Sequence, residues 1–452
     1  MNTSLPAQLP IFTRISLVLS LSLLGFLPSC VGLFKAQNNE QKLATQDSQT
    51  RTVASSSTQG GIATKFSFAY KSLDLGDYVR VYLELDIQRL SLVPNADILT
   101  QEFEFRYGLL ADYQSQEYLT TGQILPTADN IQKKGGLFYL YFNLPKMSQI
   151  TSSAILLLEV TDKKTGQRVL QDIPLTFVAS KLRDSFAPFN KKGDLPHFSN
   201  YFQVNDTIRI RDIKGSPKEL LVKYFNDDFP VAATPMALAG GAISKAFNFS
   251  PDSTFIIISN NPVALNKSGT YWIVENEADF SGLTLRVYDQ KFPKYSFIPD
   301  LIEPLIYITT QEELQNLKVV KDTASIESLK IALDKFWLRL SENDKEKARN
   351  TIKDYYSRVK LANMYFSTFK EGWKTDMGMI FVIFGSPDKV RRFQDKEVWT
   401  YTQLSEFSEI NFTFVRKNSQ FSDRDFELIR YAEYETIWYE AIEAWREGRG
   451  LK

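Results

Sequence analysis

The 452-residue sequence contains one cysteine, Cys30, and one histidine, His197. A lone thiol excludes an internal disulfide or a cysteine-rich zinc site, and a lone imidazole removes most histidine-based metal binding and catalysis. A Ser-His-Asp triad would have to use His197, which sits in Gly193-Asp194-Leu195-Pro196-His197-Phe198-Ser199, a linker-like stretch rather than a strand-turn-helix elbow. No metal and no cofactor is implied. Charge of one sign is also lacking: Lys+Arg and Asp+Glu both number 53, so no basic excess points to nucleic acid or to an anionic membrane surface. Behind Arg14, the apolar stretch Ile15–Pro28 has 14 residues. It falls short of the roughly 20 that span a bilayer and reads as the apolar region of a signal peptide.

What is there begins at the same end. Leu27-Pro28-Ser29-Cys30 resembles a bacterial lipobox, in which the thiol is acylated and becomes the mature N-terminus. The resemblance implies a signal peptide over 1–29, lipid attachment at Cys30, and a membrane relation of tethering, since more than one acyl chain gives stable anchoring. Cys30 is then consumed, and a Cys-His pair is impossible. From Ala36-Gln37-Asn38-Asn39 to Gln59-Gly60-Gly61 the chain is rich in Gln, Ser, Thr and Asn, too polar to offset the entropy of ordering. Residues 30–62 are therefore expected to be the lipidated N-terminus and a flexible tether. Acidic clusters after such a cysteine resemble surface-export signals, and none follows Cys30, so the expected location is the periplasmic face of the outer membrane.

About 390 residues remain, enough for two to four domains. In Tyr78–Ile87 the odd positions are aliphatic and the even ones polar or Tyr, a period of two that buries one face of a sheet. Phe103, Phe105 and Tyr107, the run Leu137–Phe142, and the pair 154–161 and 168–177 repeat it. Asp162-Lys163-Lys164-Thr165-Gly166 joins that last pair as a hairpin loop whose glycine takes a left-handed conformation. An antiparallel β-sandwich is predicted over 63–180. Lys181–Pro196 reads as a polar linker, and a second β-rich domain over 197–308 follows. Within it, residues 232–242 form a loop of small residues that reads as mobile or as a backbone cradle for a ligand; no Lys-Ser/Thr pair follows its glycines, so it is not a P-loop.

Near Thr309 the period changes to 3.6. Leu329, Leu333, Phe336, Trp337 and Leu340 share one helical face, and Ala348, Ile352, Tyr355, Val359, Ala362, Phe366 and Phe369 share that of a second helix. The next segment, Gly372-Trp373-Lys374-Thr375-Asp376, runs on through Met377–Phe384 to Gly385-Ser386-Pro387-Asp388, 17 residues in all. It resembles the GWxTD domain family of bacterial envelope lipoproteins of the Bacteroidetes type. Arg358-Val359 and Ala362-Asn363 match the family's usual lead-in, and the resemblance covers about 330 to 447. It implies an architecture and a compartment, with no reaction attached. The fold expected is thus multidomain: two antiparallel β-sandwich-like domains, then an α+β domain over 309–452 with a helix pair on a small sheet and a closing helix.

In the physical reading of the motif, Gly372 ends the second helix in a left-handed conformation, Thr375 and Asp376 accept backbone N–H bonds, Gly378 permits tight entry to a strand over Met379–Phe384, and Gly385 opens a turn. Five of the six tryptophans lie between 337 and 445, which most simply means a packed core. Two other readings stay open. Arg358, Asn363, Trp373, Asp376, Trp399 and Tyr401 would line a groove for a glycan or peptide, or Asp376 and Asp388 would serve as the paired carboxylates of a glycan-cleaving enzyme. The function expected is a non-catalytic, lipid-anchored component that binds an envelope protein partner.

Overall fold

The computed structural model describes residues 52–53, 66–93, 97–148, 150, 152–178, 181–212, 215–226, 229–237, 250–289, 291–404 and 407–449. The expected signal peptide, Cys30 and nearly all of the tether lie outside the described residues.

The first block consists of β1 (Thr52–Val53), β2 (Phe66–Asp74), β3 (Tyr78–Ile87), a short helix α1 (Ile98–Glu102), β4 (Phe103–Leu110), β5 (Thr120–Ile124), β6 (Ile131–Lys134), β7 (Leu137–Pro145), β8 (Ser153–Asp162) and β9 (Arg168–Thr176). They form two antiparallel sheets, ordered β1-β2-β3-β7-β6 and β5-β4-β8-β9. The period of two decides what lies between them. Val79, Val81, Leu83 and Leu85 of β3 pack with Phe105 of β4 and Leu156, Leu158 and Val160 of β8 in one apolar cluster, where each full burial contributes about 1.5–3 kcal/mol. At the β8–β9 hairpin Gly166 has φ +72°, and the Asp162 carboxylate accepts the Lys164 and Thr165 N–H groups.

The second block runs through α2 (Leu182–Ser185), β10 (Phe186–Asn190), β11 (Phe202–Gln203), β12 (Thr207–Asp212), β13 (Glu219–Phe225), β14 (Ser253–Ile258), β15 (Pro262–Ala264), β16 (Gly269–Val274) and β17 (Leu283–Tyr288). A three-stranded sheet β10-β12-β15 faces a five-stranded sheet β11-β17-β16-β13-β14 across a core that includes Ile208, Ile210, Leu220, Val222 and Val287. The stretch expected as a linker contains β10, which pairs with β12 along its whole length. Its apolar residues, Phe186, Ala187 and Phe189, are buried, and the charged residues on either side hide them in a composition average. Ala187, Phe189 and Phe198 pack on Ala69, Leu73 and Tyr82 of the first block.

The third block starts with 3-10 turns at Ile298–Leu301 and Glu303–Tyr307, followed by α3 (Gln311–Thr323), α4 (Ile326–Leu340) and α5 (Lys345–Phe366). Each helix has an oxygen-bearing cap: Thr310 accepts from Glu313 N, Ser325 from Ser328 N, and Asp344 from Glu346 N and Lys347 N. After a 3-10 turn at Gly372–Lys374 come α6 (Asp376–Phe384), the antiparallel sheet of β18 (Lys389–Arg392), β19 (Lys396–Leu404), β20 (Phe407–Arg416) and β21 (Phe426–Leu428), and α7 (Tyr434–Arg446). Gly448, at φ +64°, closes α7. Several antiparallel sheets followed by packed C-terminal helices make the β-rich, then α+β, multidomain arrangement that was expected. No helix among the described residues is long and apolar enough to cross a membrane.

Two expectations about the motif are overturned. Residues 379–384 are helical, as part of α6. Every residue from Met377 to Phe384 is buried, so the segment carries no amphipathic signature, and a short apolar run of this kind fits a buried strand and a buried helix equally well. The Thr375 cap decides for helix. Gly372 does not terminate α5 either. That helix ends at Phe366, and Gly372 opens the 3-10 turn, where a Cβ would lie 1.9 Å from the Ala362 carbonyl oxygen. The glycine is there for close approach of two backbone segments.

Candidate functional site

The motif sits where the end of α5, the 3-10 turn at 372–374 and the start of α6 meet. The Ser367 hydroxyl donates to the Asn363 carbonyl (2.7 Å) and accepts the Gly372 N–H (3.0 Å), while Asn363 Oδ1 accepts the Trp373 N–H at 3.2 Å and its Nδ2 donates to the Pro293 carbonyl at 3.3 Å. Thr375 closes the other side. Its hydroxyl donates to Gly372 O at 2.7 Å and accepts the Gly378 N–H at 3.0 Å. At Gly378 a Cβ would lie 1.8 Å from the Gly372 oxygen, so α6 rests directly on the turn.

Trp373 is 1% exposed. Its indole N–H reaches the Tyr295 hydroxyl at 2.8 Å and Glu371 Oε2 at 3.0 Å, and its carbonyl accepts the Tyr307 hydroxyl at 2.7 Å. Glu371 also pairs with the buried Lys374 at 2.8 Å. Burial raises the hydroxyl groups of Tyr295 and Tyr307 well above the ordinary tyrosine range, so both remain donors.

Asp376 occupies the first turn of α6, where the helix dipole favours a carboxylate. Its Oδ2 accepts the Leu428 N–H at 2.9 Å, and its Oδ1 pairs with Arg430. Burial pushes its carboxyl above the usual range, opposed by the Arg430 guanidinium, the Leu428 N–H and the Lys370 ammonium. Arg430 in turn donates to the carbonyls of Ala233 (3.1 Å) and Thr234 (3.2 Å), while Lys374 O accepts the Ala232 N–H (3.0 Å) and Pro235 O the Tyr431 N–H (3.2 Å). Residues 232–235, the start of the small-residue loop, are thus pinned as a strap from the second block across the motif; residues 238–242 of that loop lie outside the described residues.

The remaining sequence candidates lie beyond the other end of α6. Arg358 donates to the Ile383 carbonyl at 2.9 Å and lies 4.9 Å over the Trp445 ring, and burial lowers its basicity. Gly385, at φ +82°, accepts the Tyr401 hydroxyl at 2.9 Å. Pro387 is partly exposed, and Asp388 accepts the backbone N–H and the hydroxyl of Thr402 at 2.8 and 2.7 Å. Trp399, 4% exposed, packs on Phe414 and Phe366 and donates to Glu397. Asp376 starts the nine-residue α6, about 13.5 Å long, and Asp388 lies beyond its far end, which sets the two apart by more than the ~5–9.5 Å that carboxylate pairs of glycosidases span. The faces of Trp373, Trp399 and Tyr401 are covered by protein.

Sequence reasoning missed Arg430, Glu371, Tyr295, Tyr307 and Ser367. Only Ser367 and Glu371 are near enough in sequence to be found; Arg430 meets Asp376 across 54 positions, and no local pattern marks it. Farther off, a buried chain Tyr113–Asp172–Arg392–Glu397–Trp399 links β9 of the first block to β18 and β19: Tyr113 OH lies 2.7 Å from Asp172, and Arg392 lies 2.9 Å from Asp172 and 3.2 Å from Glu397.

A family model for the GWxTD domain matches residues 269–447, so a GWxTD domain is found in this chain, and it begins at β16, upstream of the change of period near Thr309. No curated protein matches the chain.

Proposed function

We propose that this protein is a non-catalytic, lipid-anchored component of the bacterial cell envelope, facing the periplasm from the outer membrane, and that it binds a protein partner as a scaffold. One observation carries the scaffold reading. The motif's polar groups are committed to internal partners, and through Arg430 they hold a strap from the neighbouring β-rich block. Asp376 spends its two carboxylate oxygens on the Arg430 guanidinium and the Leu428 N–H, both internal partners. The arrangement fixes one block against another, as a presenting platform requires. The anchor reading rests on the lipobox-like Leu27-Pro28-Ser29-Cys30 and the polar residues behind it.

Two measurements test the proposal separately. Cys30→Ala should abolish lipid labelling and move the protein out of the membrane fraction; unchanged labelling and fractionation would remove the anchor. Crosslinking in intact cells, followed by identification of what co-purifies, should return one or a few envelope proteins in reproducible stoichiometry. Recovery of the uncrosslinked monomer alone, across crosslinkers of different reach, would remove the scaffold role.

A further inference from the structure

On the outer side of the sheet β10-β12-β15 lies a cleft of about 730 Å³ lined by Lys192, Gly193, Arg209, Arg211, Asp212, Gly215, Ser216 and Asn260. Arg209 and Arg211 stand two positions apart on β12, on one face of the strand and roughly 7 Å apart. Each is held from behind by main-chain oxygens. Arg209 donates to the Lys191 carbonyl at 2.8 Å and to the Asn260 carbonyl at 2.5 Å, and Arg211 donates to the Gly193 carbonyl at 2.9 Å and lies 4.7 Å over the Phe189 ring. Gly193, at φ +79°, lets the 190–195 turn fold onto the Arg209 stem, where a Cβ would come within 3.1 Å of Cδ. These bonds use two of the five guanidinium N–H donors of Arg209 and one of those of Arg211. The rest stay available for a ligand.

The charges are equally lopsided. Among the described residues no carboxylate forms an ion pair with Lys192, Arg209 or Arg211; the one acid in the cleft wall, Asp212, has Lys218 at 4.0 Å. Asn260, whose backbone is also left-handed at φ +67°, carries a buried side-chain oxygen that no hydrogen-bond donor meets among the described residues. The cleft thus combines three cations, two of them preorganised forks.

We propose that this cleft binds a phosphoryl group, as a free phosphate or phosphomonoester or as the phosphomonoester headgroup of a lipid. One fork suffices for a carboxylate, whereas three cations suit a tetrahedral oxyanion of higher charge.

The test uses the full chain lacking only its lipid. Inorganic phosphate and sulfate are titrated calorimetrically at low ionic strength, and flotation is measured with phosphatidylcholine vesicles with and without phosphatidic acid. Phosphate should bind one per chain, and sulfate, a tetrahedral dianion of like charge, should compete for the same site. Arg211→Gln should weaken phosphate binding at least tenfold, the equivalent of losing one charge-assisted hydrogen bond, and Lys192→Gln should weaken it less. Both positions are exposed, and unchanged melting temperatures would show both variants folded. Flotation that needs phosphatidic acid and is lost in Arg211→Gln assigns the site to a lipid headgroup; phosphate binding without such flotation assigns it to a soluble phosphate. Absence of phosphate binding, or full binding by folded Arg211→Gln, would overturn the proposal.

Discussion

Gly378→Ala sets two effects against each other. Within a helix, replacing glycine by alanine ordinarily stabilises by about 0.8–1.0 kcal/mol, and Gly378 lies inside α6. Against this, the new methyl would lie 1.8 Å from the Gly372 oxygen, 2.6 Å from the carbon of that carbonyl and 3.0 Å from Trp373 Cα. All three are backbone atoms, so no side chain can swing aside. For contact to become tolerable, α6 must retreat from the turn by more than an ångström. That displacement stretches the Thr375 bonds to Gly372 O and Gly378 N, which are 2.7 and 3.0 Å. Overpacking costs about 1–3 kcal/mol and a lost helix cap about 1 more; after the propensity gain, a net loss of about 1–3 kcal/mol remains. At ~2–4 °C per kcal/mol for a unit of this size, the melting temperature should fall by ~2–12 °C in a calorimetric scan of the full chain. A variant that melts at or above the parent would show that helix propensity prevails and that the close approach of α6 to the turn is not what requires glycine.

Arg430→Met should cost about 3–5 kcal/mol in urea denaturation, because it strands the buried Asp376 carboxylate without its cation; adding Asp376→Asn should recover much of that loss, and a double variant no better than the single would refute the pairing. His197 stacks on Phe202 at 4.0 Å, its Nε2 lies 2.8 Å from the Tyr201 carbonyl, and burial chiefly, with the nearby Lys71 ammonium, lowers it to about 4. The unfolded chain therefore takes up this proton first as pH falls, so stability drops between about 6.5 and 4, by at most ~3 kcal/mol. His197→Gln should flatten that limb of the stability profile, and an unaltered limb would mean the imidazole is not held neutral.

Legibility in the sequence follows the range over which the physics acts. The alternation along Tyr78–Ile87 is local, and Val79, Val81, Leu83 and Leu85 were readable as one buried face because a half-wet sheet needs a period of two. The stripe Leu329-Leu333-Phe336-Trp337-Leu340 was readable for the same reason at a period of 3.6. α6 was misread because a helix wrapped on all sides by protein has no wet face to leave a period. β10 was lost among charged neighbours. At the site, Gly372, Thr375 and Gly378 were recognisable as special, yet the reason two of them must be glycine is contact between segments, with Ala362 and with Gly372 itself, which dihedral arguments do not reveal. Arg430 and the strap at 232–235 belong to elements far away in the chain, and only the fold brings them to Asp376.

The chain from Tyr113 through Asp172 to Arg392 and Glu397 bears on how such a domain can be inherited or transplanted. The region matched as a GWxTD domain starts at β16, which pairs on one side with β13 and on the other with β17, and its Arg392 finds a carboxylate on β9. A cut before residue 269 would therefore leave a raw sheet edge on one fragment and a half-neutralised guanidinium beside Glu397. The domain is not a detachable cassette. A genetic exchange that brings in a foreign C-terminal part must also bring a matching acid on the first sandwich and a matching strand beside β16, so changes at these distant positions should be tolerated only in concert.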